Sequence, residues 1–228
     1  MGFDIVDLLL RAPVIFFSLT IHEFMHAWTA WKCGDDTAQR AGRLTLNPLA
    51  HLDPIGTIAL FIGPIGWAKP VPVQFTELNY ETRRRDEILI TGAGVATNFA
   101  VAAALALLAR FLVAKGLAPE PPGVYDQRSI ASILWAMMGE AVFINFALAM
   151  FNLLPLYPLD GSHIMRNILP LNAAIVYHNH RKLTTAILAV IVLANWLVFG
   201  FLSWPVFRLM LLFAGADGAS SLFIHMWV

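Results

Sequence analysis

Residues 21–26 read Ile-His-Glu-Phe-Met-His, an H-E-x-x-H motif set within an apolar stretch that runs from Ile5 to Trp31. On a helix, residues four apart share a face, so His22 and His26 can reach one metal ion together. Glu23 lies one residue on, about a quarter of the way round, where it can reach a water held by that ion. At ~1.5 Å per residue the stretch is long enough to cross a hydrocarbon core of ~30 Å. Ionisable groups at such depth are costly, and they face a bundle interior or a cavity rather than lipid. A chain with this motif in this setting must therefore pack other helices around it.

Composition agrees with that constraint. The chain has 228 residues, 58% of them hydrophobic and 13% charged, with mean hydropathy +0.68. Soluble domains are about a quarter charged, so the composition is that of an all-α polytopic membrane protein whose surroundings are the lipid bilayer. Basic and acidic residues balance at 15 each, which gives no argument for nucleic acid as a partner. The single cysteine, Cys33, excludes an internal disulfide framework and a Cys-rich metal cage. Asp4 and Asp7 stand where a signal peptide would be basic, so the first apolar run is expected to stay in the mature protein.

Hydropathy along the chain predicts four to six membrane segments in a single domain over 1–228. The first is 5–31. Residues 34–55 are turn-rich, with a short alternating stretch, Arg43-Leu44-Thr45-Leu46, that reads as a strand. Residues 56–66 are apolar but too short to span, and together with Trp67-Ala68-Lys69-Pro70-Val71-Pro72-Val73 they read as a re-entrant or interfacial segment over 56–73. Prolines spaced by one residue favour extended backbone at an edge. Further spans are predicted at 88–113, 130–154 and 183–202. A break is expected at Pro205, with a possible last segment at 206–228.

Basic residues set the expected orientation. Arg40, Arg43, Lys69, Arg83, Arg84, Arg85, Arg166, Arg181 and Lys182 fall in loops 34–86 and 155–182, against Lys115 and Arg128 in loop 114–129. The former loops face the cytoplasm, and the His22/His26 pair lies nearer that side. No internal repeat is visible, unlike many transporters.

A catalytic zinc takes three protein ligands and keeps one position open. Lys32 occupies the position where a third histidine of the metzincin type would stand. No glutamate lies between Glu23 and Glu77, which removes the thermolysin-type ligand. The remaining donors are His51, Asp53, Asp160 and His163. Asp160 is the best of them, because it ends a span at a depth comparable to His26 in a bend framed by proline and glycine. His51 and Asp53 sit in a loop rich in turn residues and read as locally hydrogen-bonded. His163 and Glu140 read as structural.

Taken in order, the chain carries His22 to His26, Gly42-Arg43-Leu44-Thr45-Leu46-Asn47-Pro48, Gly66 to Val73, Gly94 to Asn98, and Asn152-Leu153-Leu154-Pro155 through Leu159-Asp160-Gly161. This series resembles the site-2 proteases, the intramembrane zinc metalloproteases of peptidase family M50, and particularly their short prokaryotic branch without PDZ or CBS domains. No span is predicted ahead of the H-E-x-x-H helix, which is similar to that branch.

The resemblance implies a three-helix catalytic core with a re-entrant β-hairpin, in a prokaryotic cell membrane with the active site towards the cytoplasmic side. It implies one Zn2+ per chain bound by His22, His26 and Asp160, with Glu23 as general base. Asn152, Asn98, Trp67, Lys69, Pro70 and Val71 would hold a transmembrane protein substrate. Gly94 is followed by Val95 where the family has proline, so a proline-dependent bend is not expected here. The expected function is zinc-dependent cleavage of a peptide bond in or near a substrate's transmembrane segment. The alternatives are a non-proteolytic metal-binding membrane protein of the same fold and, from a different class, a cation transporter. The transporter needs a second ligand set in the outer half, where only Glu140 and Asp7 are available.

Overall fold

The computed structural model describes residues 5–62, 67–119, 129–193 and 196–227. The protein is an all-α polytopic membrane protein. Helix α1 (Ile5–Lys32) carries the H-E-x-x-H motif and keeps its helical course through Pro13. A short α2 (Thr37–Arg40), a 3-10 turn at Pro48–Ala50 and α3 (Pro54–Ile62) follow. Then come the long helices α4 (Arg83–Ala114) and α5 (Ile130–Asn152). Three short helices, α6 (Asp160–Ile168), α7 (Leu171–Asn179) and α8 (Arg181–Leu193), lead to α9 (Trp196–Trp227).

Among the described residues, α4, α5 and the Leu202–Phe223 part of α9 are long and apolar enough to cross a membrane. They pack on one another through a core that joins Ala102, Ala106 and Ala109 of α4, Trp135, Val142 and Phe146 of α5, and Val206, Met210, Ala214 and Leu222 of α9. The three α4 alanines recur at helical spacing and are fully buried. Small side chains on that stripe let the backbones approach, which in a bilayer replaces the hydrophobic drive available in water.

Helix α1 lies against α4 and α5. Its buried Ser18 donates to the Val14 carbonyl at 2.8 Å and accepts from Asn145 Nδ2 of α5 at 2.8 Å. A hydrogen bond between helices in lipid contributes about 0.6 kcal/mol on average, so this one specifies register more than it adds stability.

The span expected at 183–202 includes residues 194 and 195, which lie outside the described residues; α8 is described to Leu193, and among the described residues the membrane-length helix of this region is Leu202–Phe223. Two sequence expectations change. Pro205 lies inside α9 rather than ending it, since proline costs one N–H and a local clash that a kinked helix can absorb. The real departure from helical geometry is at Gly215, with φ 75°, a conformation that suits glycine. The strand at Arg43–Leu46 is instead a bend, with Arg43 buried and its guanidinium donating to the Lys69 carbonyl.

The β-hairpin does not form among the described residues. Its apolar arm is α3, and the only pairing is one antiparallel bridge between Leu52 and Ala68. Residues 63–66 lie outside the described residues. Pro70 and Pro72 have no N–H to offer a ladder, and the neighbouring amides bond elsewhere. Lys69 N–H donates to the His51 carbonyl at 2.8 Å, Val71 N–H to Glu23 Oε2 at 3.0 Å, and Gln74 N–H to Asp35 Oδ2 at 2.7 Å. The segment is extended, but it is fixed by side chains and one carbonyl rather than by a partner strand.

Candidate metal centre and active site

His22 and His26 lie one turn apart on α1, buried against α4. What lets them sit there is Gly94. A Cβ added at Gly94 would come within 2.5 Å of His26 Nε2 and 2.7 Å of His22 Nδ1. One turn back on α4, the Ile90 carbonyl accepts the Nδ1–H of His26 at 2.7 Å. That contact assigns the tautomer and turns the Nε2 lone pair towards the centre, as outer partners of metal-bound histidines do.

The third group arrives on α6. Asp160 is its first residue, and the following Gly161 packs so closely that a Cβ there would lie 2.2 Å from the Leu153 carbonyl oxygen. Asp160 Oδ2 is 3.2 Å from His22 Nε2 and 3.3 Å from His26 Nε2, and the two Nε2 atoms are 3.0 Å apart. Among the described residues this is the one cluster of three His, Cys, Asp or Glu side chains suited to an ion.

The triangle fits zinc. Bonds of 2.0–2.1 Å in tetrahedral geometry separate ligand atoms by about 3.3 Å. Two imidazoles and a carboxylate form a donor set of the catalytic type, with a position left for water or substrate. The Asp160 Oδ2 and His22 Nδ1 atoms are buried without a hydrogen-bond partner.

The ligand atoms open on a cavity of about 620 Å³ between α1, α4, α5 and the 67–75 segment. Glu23 faces it from α1, and Asn152 from the end of α5, where Asn152 Nδ2 donates to the Leu148 carbonyl at 3.0 Å. Trp67, Pro70 and Val71 line the cavity as well. Lys69 is not among the lining residues; its side chain is exposed, and its backbone is bonded to His51 and Arg43. Asn98 departs from expectation. It is 0% exposed, lies one turn beyond Gly94 and outside the cavity wall, and has no hydrogen-bond partner on either side-chain atom. It belongs to the layer behind the histidines, not to the substrate space.

The other donors weighed from sequence have local partners. His51 Nε2 bonds the Thr45 carbonyl at 2.8 Å, and Asp53 Oδ1 accepts the Gly56 N–H at 2.8 Å. Glu140 pairs with Arg11 at 3.1 Å on the far side of the bundle. His163 is different, because it lines the cavity one turn after Asp160. Burial, with the Arg166 charge adding, lowers its pKa below the usual imidazole value. From sequence it reads as structural, although its i, i+3 spacing to Asp160 on one helix is a signal for this position. Asp35 had no such signal. It is fully buried and ties the turn after α1 to the 67–75 segment, accepting from Thr37 N–H at 2.9 Å and from Gln74 N–H.

The sequence model of Peptidase family M50 matches residues 11–195, which include all three candidate ligands and Glu23. The chain belongs to Peptidase family M50. This M50 protein is 38% identical over 153 residues to "Putative zinc metalloprotease YwhC" of Bacillus subtilis, a match that covers 67% of this chain and 66% of that one. It is 33% identical over 147 residues to "Putative zinc metalloprotease Rip2" of Mycobacterium tuberculosis, covering 63% of this chain and 51% of the relative. The chain thus spans just under two thirds of the first and about half of the second. No solved structure matches it significantly. Family membership and these names support metalloprotease chemistry with zinc.

Proposed function

We propose that this M50 protein is an intramembrane endopeptidase that hydrolyses a peptide bond in or near the transmembrane segment of a membrane-protein substrate. The observation that carries the reading is the His22, His26, Asp160 triangle opening on a cavity that also holds Glu23, in a bundle of membrane-length helices. The basic loops 34–86 and 155–182 support a cell-membrane location with this end of the bundle on the cytoplasmic side.

His22 Nε2, His26 Nε2 and Asp160 Oδ2 would hold one zinc ion, which would supply Lewis-acid polarisation of a carbonyl and an acidified water. Glu23 takes the proton of the attacking water and delivers it to the leaving amide nitrogen. The Val71 N–H holds one oxygen of Glu23, so the carboxylate is oriented before substrate arrives. A substrate helix hides its carbonyls and must unwind to react. Asn152 and the carbonyls of 67–73 other than that of Lys69 offer polar partners to the freed backbone. With Pro70 and Pro72 lacking N–H groups and the Lys69, Val71 and Gln74 amides already bonded, this segment contributes acceptors more than donors. His163 adds an imidazole to the wall.

The test is Glu23→Gln, with zinc content measured beside cleavage of a model transmembrane peptide. Loss of the general base costs about 10²–10⁴ in rate with zinc retained. Undiminished cleavage by a zinc-loaded Glu23→Gln protein contradicts the assigned role.

A further inference from the structure

We propose that Glu87 is a positioning residue for Asp160, acting through Arg166 and Asn167; the inference rests on the reading of His22, His26 and Asp160 as the metal ligands. Asp160 reaches the histidines from α6, a helix of nine residues whose main neighbours are α4 and α7, not α1. Its carboxylate is therefore located relative to His22 and His26 by way of α4.

The tie to α4 is Glu87, 6% exposed and one turn before Ile90. Its Oε2 accepts from the Arg166 guanidinium and from Asn167 Nδ2 at 2.8 Å. Asn167 Nδ2 also donates to the His163 carbonyl at 3.0 Å, which joins the tie to α6's own backbone. Arg84 donates from the same turn of α4 to the carbonyls of Asn167 and Leu169. The other end of α6 is pressed on Leu153 and Leu154 by the missing side chain of Gly161. A short rigid rod held at both ends cannot turn.

One stretch of α4, residues 87–94, then bears on all three members of the triangle. Glu87 holds the helix of the aspartate, the Ile90 carbonyl holds the His26 ring, and Gly94 receives both imidazoles. A buried ion pair is weak support for stability, since desolvation offsets its attraction. It is well suited to fixing a direction, because charge-assisted hydrogen bonds are short and oriented. Metal ligands tolerate only about 0.2 Å of displacement, so a small swing of α6 about Gly161 is enough to spoil the triangle.

The experiment measures zinc affinity of the purified full chain by competition with a chromophoric chelator, together with thermal unfolding of zinc-free and zinc-loaded protein. Wild type is compared with Glu87→Gln, Arg166→Met, Arg166→Lys and Asn167→Ala. Glu140→Gln, which breaks the ion pair at the far end, is the control. Glu87→Gln and Arg166→Met are expected to bind zinc about 10–100-fold more weakly. The rise in Tm on adding zinc should shrink in step, because it follows from Kd. Arg166→Lys should recover part of the loss, and Glu140→Gln should bind as wild type does.

The proposal is overturned if Glu87→Gln and Arg166→Met keep wild-type zinc affinity while their zinc-free Tm falls, the signature of a purely structural pair. If Glu87→Gln does not fold, Arg166→Met and Asn167→Ala decide by the same criterion. A wild-type chain that binds no zinc overturns the metal-site reading itself, a result distinct from equal affinity across variants.

Discussion

Gly94 sits where any side chain would collide with the His22 and His26 rings proposed to bind the ion. With its Cβ within 2.5 Å of His26 Nε2, Gly94→Ala must push α1 and α4 apart or turn the imidazoles. We expect it to lower zinc affinity about tenfold or more, the scale of lost ligand support, while the zinc-free protein still folds. Chelator competition checks this; unchanged affinity would mean that the histidines are not seated as described. Asp35 is a second residue whose role is set by distance in space. Asp35→Ala strands the Thr37 and Gln74 amides, at about 1–3 kcal/mol for buried donors left unpaired, and loosens the segment that faces Glu23. The expected readout is a lower Tm in detergent and a raised KM for a transmembrane peptide. At this scale the sequence was legible where function follows from local spacing. H-E-x-x-H announces itself because four residues make one helical turn. Asp160 could be reached by eliminating other donors and by resemblance. Gly94, Asp35 and Glu87 were not legible as site residues, because their partners lie far along the chain and a lone glycine or carboxylate has no signature. Asn98 was misplaced for the converse reason: its place in a motif says that it is near the site, not which way it faces.

Among the elements, α4 does the most to build the site. It packs on α1, α5, α6 and α9, and its two faces serve different purposes. The alanine stripe at Ala102, Ala106 and Ala109 joins the α5–α9 core, whereas Glu87, Ile90 and Gly94 hold the ligands. The long apolar helices were readable because hydropathy over some twenty residues overrides local detail. The survival of the helix through Pro205 was not, because a proline's missing N–H and ring clash read as a stop when the neighbouring helices are unseen. The hairpin failed for a specific reason: strand-like composition at 67–73 says nothing about where the amides go, and here His51, Glu23 and Asp35 take them. Two element-scale predictions follow from packing. Gly161→Ala sets a Cβ 2.2 Å from the Leu153 carbonyl oxygen, a backbone atom that cannot swing aside. It should shift α6 and lower zinc affinity more than Glu87→Gln does, by the same chelator assay. Phe146→Ala removes the largest fully buried side chain from the α5 face of the core, where it meets Phe99 and Phe213. A loss of about 3–5 kcal/mol is expected from cavity formation, with zinc affinity preserved in the fraction that folds.

For the whole molecule the account joins two requirements that usually conflict. A hydrolytic site needs polar groups and water, and a bilayer excludes both. The bundle meets them by burying the ligands between α1 and α4, and by opening them on a cavity of about 620 Å³. Leu202 and Ser203 of α9 also line this cavity, a contribution that lay beyond the reach of any motif. The membrane character and the class of chemistry were readable from composition and one hexapeptide; the shape of the chamber was not, since it arises from how five helices and the 67–75 segment pack. The most direct test of the central claim is to map the scissile bond. The purified chain is placed in lipid vesicles with a peptide bearing one transmembrane segment and polar flanks, and the products are read by mass spectrometry. The account predicts a cut inside the segment or at its membrane boundary, abolished by a zinc chelator and restored by added zinc. Cleavage confined to the water-exposed flanks, or a cut within the segment that persists after zinc is removed, would contradict it.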